Sequence, residues 1–270
     1  NGVVLYYQLP ELKPGEEITL ELRDAQGALV RSFSSKDDKT FVPYEGYPAK
    51  APVLDKNKGL NRFVWDMRYP QLEGVPAVYI EASFRGHKAS PGTYSATLLV
   101  GNQTLTVPVE IKANPHYETT SAHYADYHEF MSSAEATYNQ MTQQVNRLYA
   151  IKGRIDALLA QEGLLQGDLR QQAQKVSAAI GAWDALMVQR LSKAYDDVEN
   201  YVNGFTANYI RAFNEGDSDQ PRITQGTRQR VAELQQIWVG HKQTADELEQ
   251  KQVPALSNAL FAQGIGALAY

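Results

Sequence analysis

Tyr124, Tyr127, Met131, Ala134, Tyr138, Met141, Val145 and Leu148 follow one another at alternating spacings of three and four residues. This is the a/d repeat of a helix that buries one continuous stripe. Ile151, Ile155 and Leu158 carry the stripe on, so the spacing predicts a single helix of about 40 residues and about 60 Å starting near Thr119. The glycines of Gln161-Glu162-Gly163-Leu164-Leu165-Gln166-Gly167 end it, and Asp168 is placed to cap the next. That second helix reads from Leu169 through Ala173, Val176, Ile180, Trp183, Met187, Leu191, Ala194, Val198 and Tyr201 to Phe205, with Gly181 and Gly204 as weak points. Asn214–Gly226 has the composition of an exposed loop. A third helix from Thr227 places Val231, Leu234, Trp238, Ala245 and Leu248 on one side until Pro254 interrupts it. The apolar tail Pro254–Tyr270 is expected to dock on another surface.

Upstream of this repeat the chain is punctuated differently. Nine of the twelve prolines fall in residues 1–113, between short alternating or β-branched runs. Val3–Gln8, Glu17–Leu22, Leu29–Ser34, Asn61–Met67, Ala77–Ser83, Gly92–Val100 and Thr104–Lys112 read as seven strands, with Asp24–Gly27, Ser90–Gly92 and Gly101–Asn102 as turns. Alternation in Ile18, Leu20, Leu22 and in Phe63, Trp65, Met67 gives these strands one buried face. The expected architecture is α+β and multidomain: an immunoglobulin or fibronectin III-like β-sandwich over residues 1–113, then a long antiparallel three-helix bundle with a docked C-terminal tail over residues 119–270.

Composition removes several function classes. The 270 residues are 43% hydrophobic and 21% charged and contain no cysteine, which excludes disulfides, thiol catalysis, zinc ribbons and iron–sulfur clusters. No apolar run approaches the length of a membrane span, and a first residue of Asn1 rather than Met leads us to expect a piece of something longer. The net charge of −5 lies in the helical half, since residues 1–113 carry 13 basic and 13 acidic side chains and the remainder 13 and 18. An acidic helical surface repels phosphate backbones, so nucleic acid and anionic membranes are not expected partners.

A search for chemistry finds no catalytic set, no metal site and no cofactor motif. His116, His123 and His128 are spaced by seven and five residues, whereas paired imidazole ligands on a helix usually sit three or four apart. Asp196-Asp197, Glu16-Glu17 and Asp37-Asp38 are adjacent in sequence and read as solvated charge, not as carboxyls facing across a cleft. The tyrosines of the first half are more arguable. Tyr44, Tyr47, Tyr69 and Tyr79 lie in proline- and glycine-rich connections, where exposed rings could stack on sugars and form a carbohydrate-binding site, or could pack the loops against the helices. Trp65, Trp183 and Trp238 sit on apolar stripes and are expected in the core.

The run Gly59-Leu60-Asn61-Arg62-Phe63-Val64-Trp65-Asp66-Met67-Arg68-Tyr69-Pro70, followed by Ser90-Pro91-Gly92-Thr93-Tyr94 and preceded by Ile18-Thr19-Leu20-Glu21-Leu22-Arg23-Asp24-Ala25-Gln26-Gly27, resembles a bacterial Ig-like module. It is similar to the module of flagellar hook-capping proteins. It resembles more closely the C-terminal region of exported propeller proteins with BNR or sortilin-like repeats, often labelled glycosyl hydrolases, where a helical segment follows. The end of such chains is similar to Val253-Pro254-Ala255-Leu256-Ser257-Asn258-Ala259-Leu260. The resemblance implies a non-catalytic accessory region, with any active site in propeller blades upstream. It also implies a periplasmic or extracellular location and, as partners, that propeller and a glycan or protein. Within the module, Asp66 and Arg68 are expected to alternate outward from Trp65, and Tyr94 to reach a backbone partner across the sandwich.

Overall fold

The computed structural model describes residues 2–218, 220–266 and 268. Six strands form two antiparallel sheets, and several helices follow. The strands are β1 (Val3–Leu9), β2 (Ile18–Asp24), β3 (Leu29–Ser34), β4 (Gly59–Trp65), β5 (Gly92–Val100) and β6 (Gln103–Ile111). β1 pairs with β4 alone, Val3 opposite Trp65, while the second sheet runs β3-β2-β5-β6. Turn chemistry sets both hairpins of this larger sheet. Asp24 Oδ1 accepts from the amides of Gln26 (3.0 Å) and Ala28 (2.8 Å), an Asx turn completed by Gly27 at a φ of 81°. Between β5 and β6 the two-residue loop Gly101–Asn102 joins Val100 to Gln103, with Gly101 at a φ of 55°.

The two sheets share one apolar core. Phe33 of β3 meets Phe63 of β4 at 4.6 Å between ring centres, and Trp65 meets Tyr94 of β5 edge-on at 5.8 Å. Trp65 is fully buried, and its Nε1–H donates to the Arg68 carbonyl at 3.0 Å, which satisfies the one polar atom it brings inside.

The expected strand over Ala77–Ser83 does not form. Its apolar residues leave the period of two: Leu72, Val75, Val78, Ile80 and Phe84 are all buried, and they belong to the core of the helices. The backbone is paired irregularly instead, Leu72 N–H to the Phe84 carbonyl, Ile80 N–H to Gly46 and Tyr79 N–H to Ser192. Ala77 sits at a φ of 58°, which a strand cannot accommodate.

The long stripe is one helix, α1 (Ser121–Leu159). Thr120 caps it, its hydroxyl accepting from His123 N–H while His123 Nδ1 accepts from Thr120 N–H. α2 (Gly167–Met187) starts without a side-chain cap, so Asp168 lies in the first turn and not at the cap. It also stops at Met187 and not near Phe205. The chain passes through the short α3 (Asp197–Asn200) and returns in α4 (Phe205–Asn214). Gly204 permits the return, because a Cβ there would lie 2.6 Å from the Met187 carbonyl, and Thr206 Oγ1 donates to that same carbonyl at 2.9 Å. Leu191, placed on the stripe by its spacing, is consequently exposed.

α5 (Gln225–Glu247) is capped by Thr224, which accepts from Thr227 N–H at 3.1 Å. Pro254 does not interrupt the helical path. A π-helical turn over Leu248–Gln252 leads into α6 (Val253–Ala262), whose first turn contains the proline. The wider turn absorbs the clash and lost donor that a proline imposes on the preceding one. Leu256 and Leu260 of α6, and Leu268 beyond it, are buried. α1 packs against α2, α4 and α5, and Trp183 and Trp238 lie in that core.

Trp65→Ala should cost about 3–5 kcal/mol, the range for removing a buried aromatic, as read from urea unfolding. A loss below about 1 kcal/mol would place the indole outside the core.

Candidate functional site

The polar residues of greatest interest lie where the strands meet the helices, and a change of backbone phase puts them there. β4 ends at Trp65, and Met67 adopts a φ of 56°. This left-handed residue breaks the strand alternation, so Arg68 turns inward and is buried, contrary to the outward position that alternation predicts. Gly86 makes room for this approach: a Cβ there would run into the carbonyls of Tyr69 and Pro70. Asp66 does face outward, between Arg31 (2.9 Å) and Arg85 (3.4 Å).

Arg68 Nη1 donates to the Gly86 carbonyl and to Asp217 Oδ2, both at 2.7 Å. Asp217 comes from the loop after α4, 149 residues later. Its Oδ1 accepts from Tyr127 OH of α1 at 2.9 Å, and Tyr127 OH accepts in turn from Lys88 N–H at 3.1 Å. Burial, and then the Asp217 charge, raise the Tyr127 phenol, keeping it a donor. Both charges are almost enclosed, with side-chain exposures of 9% and 13%, so each depends on the other for solvation.

Beside this clamp runs a second chain of hydrogen bonds. Glu135 of α1 accepts from His87 N–H (2.7 Å) and lies 2.8 Å from His87 Nδ1. His87 Nε2 lies 2.9 Å from Nδ1 of His128, two turns before Glu135 on the same face of α1. The Glu135 carboxylate holds a proton on His87 Nδ1, and between His87 Nε2 and His128 Nδ1 one nitrogen donates and the other accepts. Burial and then the neighbouring His87 lower the His128 pKa, which favours a neutral His128 ring. Tyr69 stacks on His87 at 4.2 Å with planes 10° apart. Tyr69 and His128 also line a cleft of about 480 Å³ between the Asp24 turn, residues 90–94 and the start of α1.

Glu135, His87 and Ser132 have the composition of an acid–base–nucleophile set without its geometry. Ser132 Oγ is 3.5 Å from both imidazoles, outside the reach of an activated hydroxyl, and His128 already occupies the nitrogen that would activate it. Among the described residues no three His, Asp or Glu side chains come together as metal ligands.

The four tyrosines singled out by sequence do not share a face. Tyr44 and Tyr47 stack on each other at 4.5 Å, and Tyr44 OH donates to the Val75 carbonyl at 2.9 Å; burial pushes its phenol up to about 12. Tyr47 covers Gly74, and Tyr79 is buried against Gly46 and beside Tyr195. Tyr69 alone of the four lines the cleft. Tyr94 OH donates to the Ser90 carbonyl at 2.6 Å, four residues before it, and not across to the other sheet. Of the three histidines, His123 belongs to the α1 cap, His128 to the relay, and His116 lies in the exposed connection before α1. Sequence reasoning missed His87, Glu135 and Asp217. Glu135 alone left a signal, as a charge adjacent to Ala134 on the buried stripe.

Compared with known proteins, the chain matches no family model, no curated protein and no solved structure.

Asp217→Ala should destabilise by about 3–5 kcal/mol, because it strands a buried guanidinium. Arg68→Met combined with Asp217→Ala should cost less than the sum of the single changes in chemical denaturation. For pH, His128 and His241 both have pKa values lowered mainly by burial from an ordinary 6.5. The unfolded chain therefore binds more protons than the folded one once the pH falls below 6.5. The stability these neutral rings contribute is full above 6.5 and is lost as the pH falls toward their folded values. His128→Asn should flatten that slope in unfolding curves taken between about pH 5 and 7, with the His241 part remaining.

Proposed function

We propose that the chain is a non-catalytic accessory region of a larger exported protein, in which an Ig-like β-sandwich and a helical bundle act as one brace against an upstream propeller or present a surface to a partner. The observation that carries this is the clamp. The buried polar groups at the junction are spent on one another, Arg68 on Asp217 and His87 on Glu135, and they tie the sheets to the helices instead of pointing at a common reacting centre. Residues Leu72–Phe84 reinforce the tie by leaving the strand half to enter the helical core. A brace needs this stiffness, since small polar interfaces between domains otherwise permit relative motion.

A surface for a neighbour is also available on the outer face of β1 and β4, where Val4, Tyr6, Leu60 and Val64 are exposed together. No helix among the described residues is long and apolar enough to cross a membrane. On this proposal the parent protein is periplasmic or extracellular, and a glycan would meet the chain only as a bound partner.

Purified chain incubated with polysaccharides and peptides should release no product. Turnover abolished by a single change at His87, His128 or Ser132 would overturn the assignment. In the parent protein, a photo-crosslinker placed at Tyr6 or Leu60 should capture the upstream propeller or a partner protein, and a crosslinker at the buried Tyr138 should capture neither.

A further inference from the structure

The smaller sheet is too narrow for the larger one. β1 and β4 face four strands, and burial along β6 shows which part goes uncovered. Val109 and Ile111 are buried, yet Leu105 and Val107 on the same face are 66% and 42% exposed. Their cross-strand neighbours on that face are Leu98 and Ala96 of β5. Opposite, the inward side chains of β4 are all buried, and along β1 Tyr7 and Leu9 are buried while Val3 and Leu5, toward the Trp65 end, are half-buried. Phe63 of β4 lies over Phe33 of β3, so β4 covers the β3 side and β1 borders the open side. A cleft of about 490 Å³ lies there, lined by Gln8 and Leu9 of β1 and Pro10 after it, with Leu98, Val100 and Gln103–Leu105.

The free edge of β1 bounds this opening. β1 pairs with β4 on one side and has no strand neighbour on the other, so every second residue directs its backbone N–H and C=O outward. Val3–Leu9 contains no charge and no proline. The other edge strands carry such blocks: Arg31 in β3, Arg62 in β4, and Pro108 and Glu110 in β6. Charges and prolines are the usual protection of an edge against pairing, and among the described strands β1 is the one edge that lacks them.

We propose that this edge is a docking slot for one extended segment of another polypeptide, apolar at alternate residues, which adds a strand to β1 and covers Leu105 and Val107. The bare backbone groups of β1 require an extended partner, and the floor of Leu98, Leu105 and Val107 requires an apolar side chain at every second position. Antiparallel self-pairing through β1 would place both larger sheets on the same face and set one beside the other, a neighbour that a lone strand does not bring. The slot therefore selects a lone strand, and it exists whatever protein the chain belongs to.

A random nonapeptide library displayed on phage provides the probe. Selection on the immobilised chain should enrich peptides with apolar residues at alternate positions, and a synthetic copy of the consensus should slow amide exchange in Val3–Leu9. Leu105→Lys replaces an exposed side chain and should leave the melting temperature unchanged while weakening the peptide about tenfold or more. Failure to enrich such peptides, or enriched peptides that bind Leu105→Lys equally well, would overturn the proposal. So would a dimer in light scattering that Leu105→Lys dissolves, since the edge would then be taken by a second copy.

Discussion

A guanidinium buried between two kinds of secondary structure constrains most of this molecule. Once Met67 turns Arg68 inward, its charge has to be neutralised without water, and the nearest carboxylate comes from Asp217, 149 residues along the chain. Neither charge is stable in its place alone, so the strands, the loop around Gly86 and the turn after α4 have to be assembled together. An apolar contact of the same area would tolerate sliding. Two charges and a phenol with fixed donor directions tolerate little, and for that reason the joint defines an orientation as well as an adhesion.

The long-range partners in this joint explain what sequence could and could not reveal. Periods of two and of three to four residues are local, so β2, β3, β5, β6 and α1 were legible from alternation, turn residues and the a/d stripe. The segment from Leu72 to Phe84 was not, because it buries apolar side chains without any period and takes its backbone partners from Gly46 and Ser192. The apparent continuation of the α2 stripe through Leu191 and Val198 was misleading for the converse reason. Helical spacing is necessary for a helix but does not enforce one where Gly204 lets the chain fold back on the end of α2.

The candidate site shows the same division. Tyr69 and His128 were visible as residues of interest, but nothing local to His87 announces that it lies between a glutamate of α1 and a second imidazole. Three of the four tyrosines proposed from their loop setting are consumed in packing: Tyr44 by the Val75 carbonyl, Tyr47 by Gly74, Tyr79 by Gly46. A proline- and glycine-rich connection indicates that a ring is outside regular structure. It does not indicate that the ring is free of packing partners.

The joint and the open slot occupy opposite ends of the strands. Trp65 and Gly92 stand at the joint, while Leu9, Val100 and Gln103 stand at the slot. β1 touches both, since Val3 pairs with Trp65 at one end and Leu9 lines the open cleft at the other. A strand added along β1 would therefore lie against a sheet whose far end is already fixed to the helices by Arg68. Ordering the free edge would cost less entropy than it would in an isolated two-stranded sheet, which is marginal by itself in water. The rigidity of the joint thus favours pairing at the edge, and it does so through the backbone of β1 without any contact between the two sites.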